Sequence, residues 1–222
     1  MRRRVFLLFI VLLVVCPFAA QASGQGAEAD RWIIQLKSAD ERLRDEAIQK
    51  LVRIRSEASV HALADYMDYT FMDWRLKIEI MKFLGEMKHE RAVRSLAVVL
   101  EDEMCPALKW NAARALGNFP GNPEALKALV SALPGEEEPQ VREGIVLALG
   151  DLGDGQAVPV LVPLLNSESF ALRNAAIRAL GKIASADALP SLKRALQAEK
   201  DVQAQESLRA AIRNTEARTG RM

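Results

Sequence analysis

"LRNAAIRALGKI" at residues 172–183 decides the fold, because "VREGIVLALGDL" at 141–152 says nearly the same thing thirty-one residues earlier. The phrase recurs with drift as "LRDEAIQKLVRI", "LKIEIMKFLGEM" and "LKWNAARALGNF". Arg44, Lys77, Lys109, Arg142 and Arg173 are therefore equivalent, at steps of 33, 32, 33 and 31 residues. In the last copy Leu172, Ala176, Ile177, Leu180 and Ile183 fall at offsets of three and four, which is one face of a helix.

A second phrase follows each copy of the first. "SVHALADYM" (59–67), "AVRSLAVVL" (92–100), "ALKALVSAL" (125–133), "AVPVLVPLL" (157–165) and "ALPSLKRAL" (188–196) share apolar residues at their second, fifth and ninth positions. That spacing also fits one helix face. Each repeat is predicted to be two helices, A then B, joined by a short turn such as "GDGQ" at 153–156. Ser38 followed by Glu41 has the form of a capping box. Pro106 and Pro139 stand where later A helices should begin, positions at which a missing N–H costs little. No sustained period-two alternation marks a strand. A thirty-residue helix pair cannot bury its apolar face alone, so like units must stack on one another.

The "R-x-x-A-x-x-A-L-G" phrase with its following "A-[VL]-P-x-L-x-x-x-L" resembles the HEAT-like repeats of the phycobilisome-lyase type. The resemblance implies an all-α solenoid, an α-superhelix of about five helix pairs over residues 38–199. A linker and partial B helix should precede it at 23–37, and a worn A helix and tail should follow at 200–222. Repeats one and two depart most from the pattern, with Val52 in place of Gly and Lys77 in place of Arg. The fold is one that commonly binds a protein partner along the B helices, and a bilin-lyase-like enzyme or enzyme subunit is the alternative inheritance. A structural subunit of an envelope complex is a second alternative.

The first residues belong to a different function. "MRRR" is a positive n-region, 5–16 is an unbroken apolar run, and Ala20-Gln21-Ala22 has the small-x-small form read by signal peptidase. Twelve helical residues span roughly 18 Å, short of the ~30 Å of a bilayer core. Residues 1–22 are expected to be a signal peptide, with a periplasmic or secreted protein starting at Ser23 and no stable membrane insertion after cleavage. Those residues carry three Arg and no acid, so 30 basic residues fall to 27 against 29 acidic, a net charge of −2. Such a chain offers no case for nucleic acid. Cys105 is then the single remaining cysteine, near the start of an A helix.

Converging chemistry is sparse. No zinc-spaced Cys/His set, nucleophile elbow or phosphate loop is present in the sequence, and no catalytic, cofactor or metal residue is assigned. The His89-Glu90 pair is similar to the iron-holding motifs of the HEAT-repeat hydroxylase acting on deoxyhypusine, but a two-metal site needs several such pairs. His89 is read as a solvated turn residue. The acidic runs at 101–103 and 136–138 suit the positive ends of the A helices that follow. His61, Arg94, Lys127, Pro159 and Pro190 share the third position of the B phrase, and the first three are candidates for a partner-binding ridge. Trp110 is the fourth candidate, either packed on Ile78 of the preceding repeat or serving as an aromatic anchor.

Overall fold

The computed structural model describes residues 17–67 and 73–220, with side chains described from residue 26. Helix α1 (Pro17–Gln35) leads into five pairs: α2 (Glu41–Ile54) with α3 (Glu57–Tyr66), α4 (Trp74–Met87) with α5 (Arg91–Asp102), α6 (Pro106–Leu116) with α7 (Pro123–Ala132), α8 (Pro139–Leu152) with α9 (Val158–Leu161), and α10 (Phe170–Ile183) with α11 (Leu189–Ala198). Helix α12 (Val202–Thr219) follows the fifth pair. Even-numbered helices α2 to α12 pack on one another as one layer, while α3, α5 and α7 pack as a second. The described residues contain no strand, and none of their helices is long and apolar enough to cross a membrane. The n-region and the apolar run expected of a signal lie outside the described residues. The expected cleavage point after Ala22 falls within the helical backbone of α1.

The two sequence phrases meet in the core. Leu51, Leu84, Leu116, Leu149 and Leu180, from equivalent positions of the A helices, are all fully buried. So are Leu63, Leu96, Leu129, Leu161 and Leu192 from the fifth position of the B phrase. At roughly 1.5–3 kcal/mol for each fully buried side chain, these two rows contribute a large part of the hydrophobic stabilisation.

The glycine of the A phrase has a separate task. Each one lies against the alanine two positions before the next repeat's glycine. A Cβ added at Gly85 would stand 3.0 Å from the Cα of Ala115, and one at Gly117 3.0 Å from that of Ala148. At Gly150 the distance to the Cα of Ala179 would be 2.6 Å. Gly181 repeats the contact with Ala211 of α12, which makes that helix a sixth A helix. "A-L-G" thus records a backbone-to-backbone approach made once per repeat.

Helix boundaries differ from expectation in two places. Ser38 and Glu41 form no capping box: Asp40 is the N-cap of α2 and accepts from the Arg42 N–H, while Ser38 Oγ accepts from the Asp40 N–H. Neighbouring polar residues compete for one helix start, and the carboxylate next to it wins. The fourth B segment is also not a plain helix, since α9 is one turn and passes into a 3-10 helix over Val162–Asn166. Pro163 lacks the N–H that would continue the α ladder. Pro106 and Pro139 occupy the first turn of α6 and α8 as expected.

Candidate functional site

Arg94 and Lys127 stand on α5 and α7, two positions before Leu96 and Leu129, so burial of the leucines turns the cations outward. Both are exposed. Neither has an ion pair or hydrogen bond among the described residues. Lys127 lies between two grooves. One, of about 490 Å³, runs along α7 and is lined by Leu100, Glu101, Lys109, Ala128 and Glu136. The other, of about 370 Å³, is lined by Leu126, Val130, Asp154 and Gln156. Pro159 and Pro190 are exposed at the starts of the fourth and fifth B segments.

The floor of the larger groove shows how the repeats are tied. Lys109 Nζ donates to Glu136 Oε2 at 2.9 Å, and the other Glu136 oxygen accepts from the Glu138 N–H. Glu103 receives Lys77 Nζ at 2.9 Å and the N–H groups of Met104 and Cys105. Glu199 receives Arg173 Nε at 3.0 Å and the N–H groups of Lys200 and Asp201. Each carboxylate sits three residues before the next A helix. One oxygen organises the loop and the other holds the basic residue of the preceding A helix. Burial pushes the Glu103 and Glu136 carboxyls upward, but the lysine and loop N–H groups outweigh it and hold both below the usual range. For Glu199 the Asp201 N–H is the leading cause of the same downward shift, with burial opposing and Arg173 assisting. The acidic runs therefore do more than complement helix dipoles.

Repeat four lacks this bracket. Its position is filled by Ser167, whose Oγ keeps the loop bond by accepting from the Ser169 N–H at 3.3 Å. The hydroxyl is too short to serve Arg142, whose Nε is buried without a partner. Ser167→Glu should stabilise the fold by about 1 kcal/mol, the size of a net hydrogen bond to a partly buried charge. Urea unfolding of Ser167→Glu, Arg142→Ala and the double variant checks this. The gain should vanish in the Arg142→Ala background.

Trp110 is 38% exposed, and its close contact is with the following repeat. A Cβ at Gly144 would stand 2.6 Å from the indole Cδ1. Ile78, the neighbour expected from sequence, belongs to the preceding repeat. Arg114 lies over the indole, 5.8 Å from its centre, and reaches Asp151 at 3.4 Å, which also pairs with Lys182. That chain of charges joins three A helices. Cys105 is a half-buried free thiol at the N-cap of α6.

His61 and His89 behave otherwise than their sequence positions suggest. His61 is on α3, one turn after Glu57, and its Nε2 is 4.0 Å from Glu57 Oε1. His89 lies in the loop before α5 and is half-buried, not freely solvated, with its Nε2 3.6 Å from the same oxygen. The two rings meet edge to face at 5.0 Å. His61 thus keeps its B-helix position, with a partly exposed side chain, beside Glu57 and His89. Of the three ridge candidates, Arg94 and Lys127 remain as free cations among the described residues.

The repeated phrase and the stacked helix pairs together define a helical repeat protein. The sequence profile of the HEAT repeats family matches residues 69–149, 95–166 and 128–213, so the chain belongs to the HEAT repeat family. Among characterised proteins it is similar to the bilin biosynthesis protein PecE of Mastigocladus laminosus, 36% identical over 118 residues, which is 50% of this chain and 41% of that protein. It is also similar to the phycocyanobilin lyase subunit alpha of a Picosynechococcus strain, 40% identical over 87 residues, 36% of this chain and 31% of that one. The chain spans about two-fifths or less of the length of these relatives. Among solved structures, a designed armadillo repeat protein in complex with the peptide (KR)4 aligns with a TM-score of 0.57 at 21% identity, covering 85% of this chain and 99% of that one. An engineered protein aligns with a TM-score of 0.56 at 24% identity, covering 86% and 97%. Both likenesses concern the fold.

Proposed function

We propose that this chain is an exported, periplasmic scaffold that holds an acidic segment of a partner protein against its B helices. One observation carries the reading. The basic residues Lys77, Lys109 and Arg173 of the A helices are locked in ion pairs, whereas Arg94 and Lys127 occupy equivalent positions on the other layer and make no ion pair among the described residues, although Glu101, Glu124, Glu136 and Asp154 line the grooves beside Lys127. The grooves beside Lys127 offer apolar floor from Leu100, Ala128, Leu126 and Val130. Export rests on the basic start, the apolar run and Ala20-Gln21-Ala22.

The test begins with a photo-crosslinking side chain at Lys127 in cells, which should trap a partner in the periplasmic fraction on a chain whose first residue is Ser23. With that partner in hand, Arg94→Glu combined with Lys127→Glu should slow association about tenfold or more at low salt and flatten its salt dependence, with less change in dissociation. Equal association rates for wild type and the double variant at two salt concentrations would mean that these cations do not steer the partner. A second reading, an enzyme subunit of the bilin-lyase kind, draws on the matches to PecE and to the lyase alpha subunit. A covalent bilin adduct, or a shifted bilin absorbance on mixing with the purified chain, would favour it over the scaffold.

A further inference from the structure

We propose that Glu57, His61 and His89 form a site for a first-row divalent transition-metal ion that clamps repeat one to repeat two. One ligand atom from each residue lies within 4.8 Å of the other two, and Glu57 Oε1 stands between the imidazoles at 3.6 Å from His89 Nε2 and 4.0 Å from His61 Nε2. Metal bonds of about 2.0–2.2 Å in a tetrahedral arrangement need ligand atoms about 3.3 Å apart. The three therefore have to close by roughly an ångström or less along most edges. The Glu57 side chain, 75% exposed, closes the two carboxylate edges by moving, and the edge between the two histidines, within 4.8 Å, has to close by turning of the partly exposed imidazoles. Two imidazoles and one carboxylate suit zinc, cobalt, nickel or copper, and do not suit magnesium or calcium, which take oxygen ligands. The carboxylate and the ion leave one net positive charge and at least one coordination position for water or an outside ligand.

His61 makes no hydrogen bond among the described residues. His89 Nδ1 accepts from the Arg91 N–H at 3.3 Å, which assigns its proton to Nε2, facing Glu57. Binding through Nε2 requires the other neutral tautomer, with the proton on Nδ1, and gives up one bond at the long end of the range. The Arg91 N–H belongs to an exposed first-turn residue that water can serve.

The location supplies a reason for the clamp. Glu57 and His61 belong to repeat one, and His89 to the loop inside repeat two. At this junction Val52 stands where Gly85, Gly117, Gly150 and Gly181 make their close approach. Besides the buried leucines, the polar ties described across the junction are the surface pairs Arg55 with Glu86 and Arg91 with Asp65, each at 2.8 Å, and the Ser95 hydroxyl donating to the Ala64 carbonyl at 3.1 Å. Such exposed pairs contribute little. A coordinate bond across the same seam replaces what the sequence has dropped.

Tag-free protein, stripped with a chelator and dialysed, should be titrated with zinc by calorimetry and with cobalt by its visible absorption. The expected result is one equivalent per chain, a tetrahedral-type cobalt spectrum, a raised unfolding temperature, and added hydrogen-exchange protection in α2 and α3 but not in α10 to α12. His61→Ala and His89→Ala should each abolish the saturable event, and Glu57→Gln should weaken it at least about tenfold. His61→Ala leaves the Arg91 bond intact, so its unfolding in chelator reports whether the variant is folded. Zinc binding by His61→Ala indistinguishable from wild type, or no saturation by wild type up to millimolar zinc, overturns the site.

Discussion

Leu180→Ala should destabilise the protein by roughly 2–5 kcal/mol and should do so from the C-terminal end. Leu180 is fully buried at the A-helix position also held by Leu51, Leu84, Leu116 and Leu149. Its helix packs on α8 before it and on α12 after it, so the cavity opens both seams at once. The neighbours cannot collapse inward, because Gly150 and Gly181 already hold the flanking backbones at contact distance from Ala179 and Ala211. Against a typical total of about 5–15 kcal/mol the loss is large. Repeats touch only their neighbours, so damage stays near its origin. Hydrogen exchange should show α10 to α12 losing protection while α4 to α6 keep theirs. Uniform loss along the chain would mean that the stack behaves as one cooperative globule.

Much of this packing was legible because a repeat reports the same physical demand several times. A single Ala-Leu-Gly says little. Four copies at 83–85 (as Phe-Leu-Gly), 115–117, 148–150 and 179–181 mark the leucine as core and the glycine as a point of close approach. The helix ends were less visible. Five A helices, α2, α4, α8, α10 and α12, end in a left-handed residue, but only α8 and α12 use glycine there. Arg55, Lys88 and Ala184 accept positive φ at the other three, where the tertiary turn overrides the local preference. The Ser38–Glu41 pattern misled for a related reason, since Asp40, next to the first helical residue, caps the Arg42 N–H while Ser38 takes the Asp40 N–H.

The site was harder to read, for a reason built into repeats. Aligning copies compares equivalent positions, and His61 is equivalent to Arg94 and Lys127, not to His89. The meeting of His61 with His89 is a diagonal contact between a B helix and the next repeat's inner loop, which no periodicity records. Trp110 and Gly144 are a different case. Position 144 holds Gly where the other repeats have Glu46, Glu79, Asn111 and Ala175. A large residue beside an unusually small one in the next repeat was a signal available in the sequence.

Gly150→Ala should destabilise the protein by about 1–3 kcal/mol, opposite in sign to what helix propensity alone requires. In an exposed helix interior, Gly to Ala is worth nearly 1 kcal/mol in favour of alanine. Gly150 is a residue of α8 whose added Cβ would lie 2.6 Å from the Cα and 2.9 Å from the Cβ of Ala179. Backbone cannot rotate out of the way as a side chain does, so α8 and α10 must separate, and the burial of Leu149 and Leu180 on either side suffers with them. Gly26, in α1 with nothing within 4 Å of its added Cβ, is the control, and Gly26→Ala should be neutral or stabilising. Gly117→Ala, facing the Cα of Ala148 at 3.0 Å, should fall between the two. Urea midpoints at constant slope would rank the three. If Gly150→Ala proves as stable as Gly26→Ala, the helices can part without cost, and the glycine of the repeated phrase has some purpose other than letting one repeat approach the next.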